Sequence, residues 1–174
     1  MEMCSLVDAD GRSLGRVVAR GSKTGPGAYF PVVHLWLADE SGNFLIQRRA
    51  DHLASDPGMW ATTAGYVQAG ETPLEAVVRE AREEMGLRLD GSVIRSIGDC
   101  LAEHRRQEVW LVRTRRADLG EITLGDEVSA FCWVMTETVS GMIERGEFAA
   151  YRYFERLIRP IFWLRSGDRS GAFD

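Results

Sequence analysis

Apolar and polar residues alternate over short distances along most of the chain, and this period predicts strands. The strand-like stretches are rich in β-branched and aromatic residues and are separated by turns that contain Gly, Asp, Asn or Pro. The predicted strands are 3–8, 13–20, 29–38, 44–49, 59–68, 93–102, 108–114 and 128–134. Near the C-terminus the period becomes helical, at 136–145 and at 148–158. The pattern therefore predicts an α+β fold built from one mixed, layered domain.

The clearest helix of the pattern begins after Thr72. Thr72 is a favourable N-cap, Pro73 suits the first helical position, and Glu75 completes a capping box with Thr72. Gly86 provides the stop that commonly ends a helix. A helix over 73–85 is thus expected at the centre of the domain.

A helical wheel divides this helix into three faces. The apolar face, expected to pack on the core, holds Leu74, Val77, Val78, Ala81 and Met85. A second arc beside it holds three carboxylates, Glu80, Glu83 and Glu84. The remaining sector is expected to point outwards and holds Glu75, Arg79 and Arg82.

The three neighbouring carboxylates carry the candidate chemistry of the chain. Like charges at i and i+4, as at Glu80 and Glu84, destabilise a helix unless something compensates them. Mg²⁺ prefers hard oxygen ligands and is commonly held by a few carboxylates and a substrate phosphate. The spacing of the three glutamates alone does not distinguish a metal site from a glutamate face that is simply solvated.

Composition and charge narrow the function classes. The chain has 174 residues, of which 45% are hydrophobic, and a formal charge of −5. That charge argues against nucleic acid as a partner. No targeting segment or membrane-spanning apolar stretch is evident. Because the cysteines (Cys4, Cys100 and Cys132) form no CxxC pair, a reduced, cytoplasmic setting is expected.

Residues 65–87 match a longer pattern, Gly-x5-Glu-x7-Arg-Glu-U-x-Glu-Glu-x-Gly-U, in which U is aliphatic. This pattern resembles the signature of the Nudix family. The matching positions are Gly65, Glu71, Arg79, Glu80, Ala81, Glu83, Glu84, Gly86 and Leu87. The family more often carries Ile, Leu or Val at the position of Ala81, a difference that removes no chemical group.

The resemblance implies a fold, a reaction and a set of site residues. It implies an α/β/α sandwich with a mixed sheet, in which the signature forms a loop–helix–loop. It implies hydrolysis of a diphosphate linkage in a nucleoside diphosphate derivative, with Mg²⁺ or Mn²⁺ as cofactor. Glu80, Glu83 and Glu84 would be metal ligands, together with the carbonyl of Gly65. Glu71 and Arg79 would orient the loop against the helix.

Three residues outside the signature are further site candidates. Glu127 precedes a strand that carries a tryptophan, where a fourth carboxylate often enters Nudix sites; it is expected to be a ligand or, like Glu83, to take part in catalysis. An exposed turn carboxylate is the alternative for Glu127. Arg48 or Arg49 would hold a phosphate, and strand alternation lets only one of them face the site. A surface pair of arginines is the alternative for both.

The resemblance also implies a domain organisation, a substrate class and an oligomeric state. We expect a single Nudix domain over 1–174, with strands and a loop at 1–28 and helices at 136–174, and a small-molecule diphosphate substrate. A homodimer is a further expectation from the family.

The Gln47-Arg48-Arg49 and Pro57–Trp60 segments resemble the isopentenyl diphosphate isomerase branch, but residues 61–66 contain neither the cysteine nor the histidines that this isomerase needs. A nucleotide sensor without turnover is the remaining alternative, disfavoured because every signature glutamate is present.

Overall fold

The computed structural model describes residues 2–161 and contains a small hairpin and a larger mixed sheet. The hairpin pairs β1 (Met3–Val7) with β2 (Ser13–Ala19). The larger sheet contains seven strands, which are β3 (Phe30–Ala38), β4 (Phe44–Arg49), β5 (Trp60–Ala61), β6 (Thr63–Tyr66), β7 (Arg95–Ala102), β8 (Arg105–Arg113) and β9 (Val128–Val134). The helices are α1 (Pro73–Met85) and α2 (Thr136–Glu144). Single helical turns lie at Gly91–Val93 and Arg116–Asp118.

Strand β3 is the centre of the larger sheet, and all nine of its residues are buried. It runs parallel to β8 along its whole length, whereas the other pairings of the sheet are antiparallel. On its other edge, β3 pairs with β4 only at Leu37–Ala38 and with β6 over 32–35. The two strands β3 and β4 therefore separate, and β6 takes the place beside β3 that β4 leaves.

One core lies on each face of the sheet. On one face, Val33, Leu35 and Leu37 of β3 pack with Val77 and Ala81 of α1. On the other, Trp36 and other aromatic residues pack with Val139 and Met142 of α2 and with the segment that follows it. The α+β sandwich with a mixed sheet is thus confirmed. Within residues 2–161, no helix is long and apolar enough to cross a bilayer.

The predicted strand 59–68 is two short strands with different partners. Trp60 and Ala61 pair with β4, whereas the residues from Thr63 to Tyr66 pair with β3. The Thr62 hydroxyl donates a hydrogen bond to the Leu35 carbonyl at the point where the chain changes partner. A period of two does not reveal such a change, because the alternation continues through it.

The predicted helix 148–158 is wrong over its first half. Phe148 bridges to Trp60 in the manner of a strand, and the helical turn begins only at Phe154, as a π-helix that ends at Ile158. The apolar spacing of this segment comes from irregular chain packed over Trp36. Strand β8 also begins three residues earlier than predicted, at Arg105. The C-terminal helical region predicted beyond residue 161 lies outside the described residues.

Candidate functional site

A pocket of about 340 Å³ opens where the hairpin, the sheet and α1 meet. Its floor is one face of three neighbouring strands, because Val32 pairs with Tyr66 on one side and with Gln107 on the other, and His34 pairs with Ala64. All five of these side chains line the pocket. Gly65 lies between this floor and helix α1, so the floor continues directly to the signature glutamates.

Helix α1 presents its carboxylates to this pocket. Glu80 and Glu84 are only 8% and 5% exposed, whereas the Glu83 side chain is 51% exposed. The helix begins with the predicted capping box between Thr72 and Glu75 and ends at Gly86 with a left-handed backbone. The caps fix where the helix starts and stops, and its apolar face fixes its rotation. Both together direct all three glutamates to the pocket.

Arg79 connects the signature loop to the helix. Its guanidinium donates to both carboxylate oxygens of Glu71, at 2.9 and 3.0 Å, and to the Tyr66 carbonyl at 2.9 Å. It also contacts Glu80 Oε1 at 2.6 Å and Glu83 Oε2 at 3.1 Å. The wheel prediction that Arg79 points outwards is wrong, since its side chain is only 14% exposed. A wheel gives the direction of Cβ, and the long side chain folds back to reach these acceptors.

Glu84 lies deepest among the three carboxylates. Gln47 of β4 donates a 2.7 Å hydrogen bond to Glu84 Oε2, and the Thr63 hydroxyl also hydrogen-bonds to Glu84. Burial and the nearby Glu80 charge raise the pKa of Glu84 to about 8. Burial likewise raises the pKa of Glu80 to about 7, against the opposing effect of Arg79. Burial therefore disfavours the charged form of both carboxylates, which is the condition that a bound cation relieves.

Two glycines permit the close packing around these glutamates. A Cβ at Gly65 would overlap the Glu80 carboxylate, and a Cβ at Gly125 would overlap the Glu83 carbonyl oxygen. Gly125 N donates to the Glu84 carbonyl at 3.0 Å, so the loop before β9 lies against the end of α1. This contact brings Asp126 and Glu127 to the pocket. No motif in the sequence marks Gly125 or Asp126 as site residues.

The two candidate phosphate-binding arginines have different surroundings. Arg49 lines the pocket, and its Nε donates to the Ser55 carbonyl at 3.1 Å. Arg48 instead donates to the Gly58 carbonyl at 3.1 Å and pairs with Asp51, and it does not line the pocket. One of the two arginines thus lines the pocket, and the pairing of β4 with β9 is irregular between them.

His34 and Tyr151 are pocket residues that no sequence motif marks. The Tyr153 hydroxyl lies 2.6 Å from His34 Nδ1 and accepts a hydrogen bond from Trp36. Burial and the Arg105 charge lower the pKa of His34 to about 3, so this ring is neutral at physiological pH. The alternation along β3 could have identified His34, because it places the side chains of Val32, His34 and Trp36 on the same face of the sheet.

The site suits a divalent metal by the chemistry of its donors. Glu80, Glu83, Glu84 and Glu127 offer carboxylate oxygens around one pocket, and Gly65 gives Glu80 the space to lie against the strand. These are the hard ligands that Mg²⁺ and Mn²⁺ accept. Within residues 2–161, no group of three or more Asp, Glu, His or Cys side chains is already arranged so that it could hold a metal ion. Arg79 holds Glu80 and Glu83, and Gln47 holds Glu84, so metal binding would rearrange these contacts.

Comparison with known families gives a match over most of the chain. The sequence model of the NUDIX domain matches residues 28–157. An uncharacterised Nudix hydrolase of Listeria monocytogenes is 30% identical over 159 residues, which are 90% of this chain and 94% of the relative. An isopentenyl-diphosphate Δ-isomerase of Streptomyces griseus is 36% identical over 86 residues, which are 49% of this chain and 44% of the isomerase.

Solved structures share the fold at low sequence identity. A Deinococcus radiodurans protein matches 85% of this chain and 92% of its own length, with a TM-score of 0.71 and 24% identity. A bifunctional NMN adenylyltransferase/ADP-ribose pyrophosphatase of Francisella tularensis, complexed with AMP and a Mn ion, matches 80% of this chain and 42% of its own length. Its TM-score is 0.52 at 18% identity. Both likenesses concern the fold.

Proposed function

Because the chain belongs to the Nudix hydrolase family, we propose that it hydrolyses a diphosphate linkage in a nucleoside diphosphate derivative or a nucleotide, with Mg²⁺ or Mn²⁺ as cofactor. One observation carries this proposal: Glu80, which lies beside Gly65, and Glu84 are both buried in the wall of a pocket. A folded protein rarely buries two neighbouring carboxylates unless a cation or another partner compensates them. The presence of Mn in the Francisella relative is consistent with the cofactor class.

In this proposal Glu80, Glu83 and Glu84, with the Gly65 carbonyl, hold the metal. A bound divalent ion would neutralise phosphate charge and lower the pKa of a bound water. Its ligands would come from both the helix and strand β6, which Arg79 holds together through Glu71 and the Tyr66 carbonyl. Glu71 and Arg79 are therefore positioning residues.

The proton and the phosphate are handled by other side chains of the pocket. Glu127 is proposed to take the proton of the attacking water, and Glu83, the most exposed of the three α1 carboxylates that line the pocket, is the second candidate for that role. Arg49 is proposed to hold a substrate phosphate, because Arg49 lines the pocket whereas Arg48 does not.

A phosphate-release screen tests the reaction class. Nucleoside triphosphates, dinucleoside polyphosphates and nucleotide sugars would each be incubated with the intact protein and Mg²⁺ or Mn²⁺. Turnover that depends on the metal supports the proposal. Saturable nucleotide binding with no turnover of any substrate would instead indicate a sensor.

Isomerase activity is not proposed. The likeness to the Streptomyces isomerase spans about half of each chain. The segment Ala61-Thr62-Thr63-Ala64-Gly65-Tyr66 also contains no thiol or imidazole. A cytoplasmic location and a homodimer are further proposals from the sequence, and sedimentation of the purified protein would test the second.

A further inference from the structure

We propose that Arg20 and Arg105 form a second anion-binding subsite, which holds a phosphate beyond the linkage that is cut. Neither residue is part of the signature, and Arg20 lies outside residues 28–157, which the family model matches. Both line the same pocket as the glutamates. The inference rests on the proposed hydrolase function, and it names the substrate class: a chain of at least three phosphates.

Arg20 is held at the pocket by the N-terminal hairpin. It follows β2, and its backbone N–H donates to the Glu2 carbonyl at 2.9 Å. Its guanidinium carbon lies 4.6 Å from the centre of the Tyr66 ring, which is part of the pocket floor. Among residues 2–161, Arg20 forms one ion pair, with Glu2 at 2.7 Å, through NH1. The other N–H groups of this guanidinium remain available to a ligand.

Arg105 has an incomplete set of partners. The nearest carboxylate oxygen, on Glu103, is 3.8 Å from NH2, which is beyond hydrogen-bond distance. Its Nε is buried and has no hydrogen-bond partner among residues 2–161. Buried donors in folded proteins are nearly always satisfied. The Arg105 side chain as a whole is 40% exposed and lines the pocket, so an anion there would find an acceptor-free guanidinium.

The sheet places the two arginines on opposite sides of one floor. Arg20 lies over Tyr66 of β6, and Arg105 lies in β8, two residues before Gln107. Tyr66 and Gln107 both pair with Val32 of β3, so two strand spacings, about 10 Å, separate the outer strands. Two long side chains that turn inwards can share one phosphate across this width. His34, in the floor between the two arginines, is buried and neutral, so it contributes no charge to the subsite.

The charge of the pocket explains why such a subsite is needed. Seven carboxylates line it, namely Glu2, Asp56, Glu80, Glu83, Glu84, Asp126 and Glu127. A metal would offset this charge for the phosphates at α1, but a further phosphate would still meet a negative surface. Guanidinium groups on the hairpin side provide the remaining compensation, with the fork geometry that suits phosphate oxygens.

Binding of inorganic phosphates tests the subsite without any turnover. Calorimetric titration of the intact protein, with the same saturating concentration of Ca²⁺ in every titration to offset the carboxylates at α1, would compare tripolyphosphate with pyrophosphate. We expect tripolyphosphate to bind at least about tenfold more tightly, which is about 1.4 kcal/mol. That preference should disappear in the double variant Arg20→Ala, Arg105→Met, while Arg16→Ala, an exposed arginine on the same hairpin, should keep it. Arg105→Met retains the aliphatic stem, and Arg105→Lys should restore part of the preference.

Hydrolysis provides the second arm. KM for a nucleoside triphosphate should rise about tenfold or more in each single variant, whereas KM for a substrate with only two phosphates should change little. Equal effects on both substrates, or an unchanged tripolyphosphate preference in the double variant, would overturn the subsite. If the protein hydrolyses nothing, the titration alone decides the subsite, so the two proposals fail separately.

Discussion

Gly65 has no functional side chain, yet its position in the signature accepts only glycine. The Glu80 carboxylate occupies the space where any larger residue would place its Cβ. The backbone of Gly65 has no unusual φ, so the requirement comes from this close approach alone. The sequence pattern identified the position, but only the packing of α1 against β6 explains it.

Gly65→Ala is therefore expected to displace Glu80 from the pocket. The substitution should weaken Mn²⁺ binding and lower the free energy of unfolding by about 1–3 kcal/mol, as overpacking typically does. Isothermal titration and urea denaturation measure the two effects. Gly91→Ala is the matched control, because its Cβ would meet Leu74 at an ordinary 3.5 Å. Wild-type metal binding in Gly65→Ala would contradict the role given to this contact.

Glu84→Gln tests the deepest carboxylate. Glutamine keeps the shape and can still accept the Gln47 hydrogen bond, so the fold should be retained. The loss of one anionic ligand should lower kcat by about 100-fold or more. Steady-state kinetics with saturating metal measures this effect.

The control is Glu75→Gln on the same helix, since Glu75 is exposed and glutamine also suits a capping box. Equal activity of Glu84→Gln and the wild type would place the metal elsewhere. The two variants together separate a general charge effect on helix α1 from an effect at the pocket.

A helix or strand could be predicted correctly where the residues within it determine its structure. Helix α1 has its caps, its apolar face and its end within fifteen residues, and its bounds agree with the prediction. The strand 59–68 and the helix 148–158 were wrong because their form depends on distant partners. Thr62 changes partner beside Leu35, and Phe148 pairs with Trp60. Arg79 was misplaced in part for the same reason, since two of its acceptors, Glu71 and the Tyr66 carbonyl, lie outside its own helix.

The turn between β3 and β4 provides a pH-dependent prediction. Asp39 is buried there and accepts hydrogen bonds from the backbone of Ser41 and Asn43 and from Arg116. Burial opposes its ionisation, but the hydrogen bonds from Asn43 and Arg116 outweigh it and lower the pKa. A lowered folded-state pKa contributes stability above the unfolded value of about 3.9 and loses it as the pH falls.

Asp39→Asn should consequently destabilise the protein at pH 7 by about 1–3 kcal/mol, because it weakens charged hydrogen bonds. The difference from the wild type should shrink as the pH falls below about 4. Urea denaturation across this pH range measures it, with Asp118→Asn as an exposed control in the neighbouring loop. A difference that does not change with pH would show that Asp39 does not act through its charge.

The assembled molecule brings together residues that the chain separates widely. Glu2 and Arg20 of the hairpin, the α1 glutamates and Tyr151 beyond α2 all line one pocket. The signature covers only 65–87, so the family resemblance could indicate the catalytic wall of this pocket and not its other walls. The hairpin and the segment 148–154 acquire their place by packing on Phe30, Tyr66 and Trp36. No local pattern encodes those contacts.

Calorimetric titration of the intact protein with Mn²⁺ examines whether helix α1 and strand β6 bind a divalent cation. The geometry predicts at least one saturable site, lost or strongly weakened in Glu84→Gln and retained in Glu75→Gln. Absence of any saturable binding, with or without a nucleotide present, would contradict the assignment of these glutamates as metal ligands.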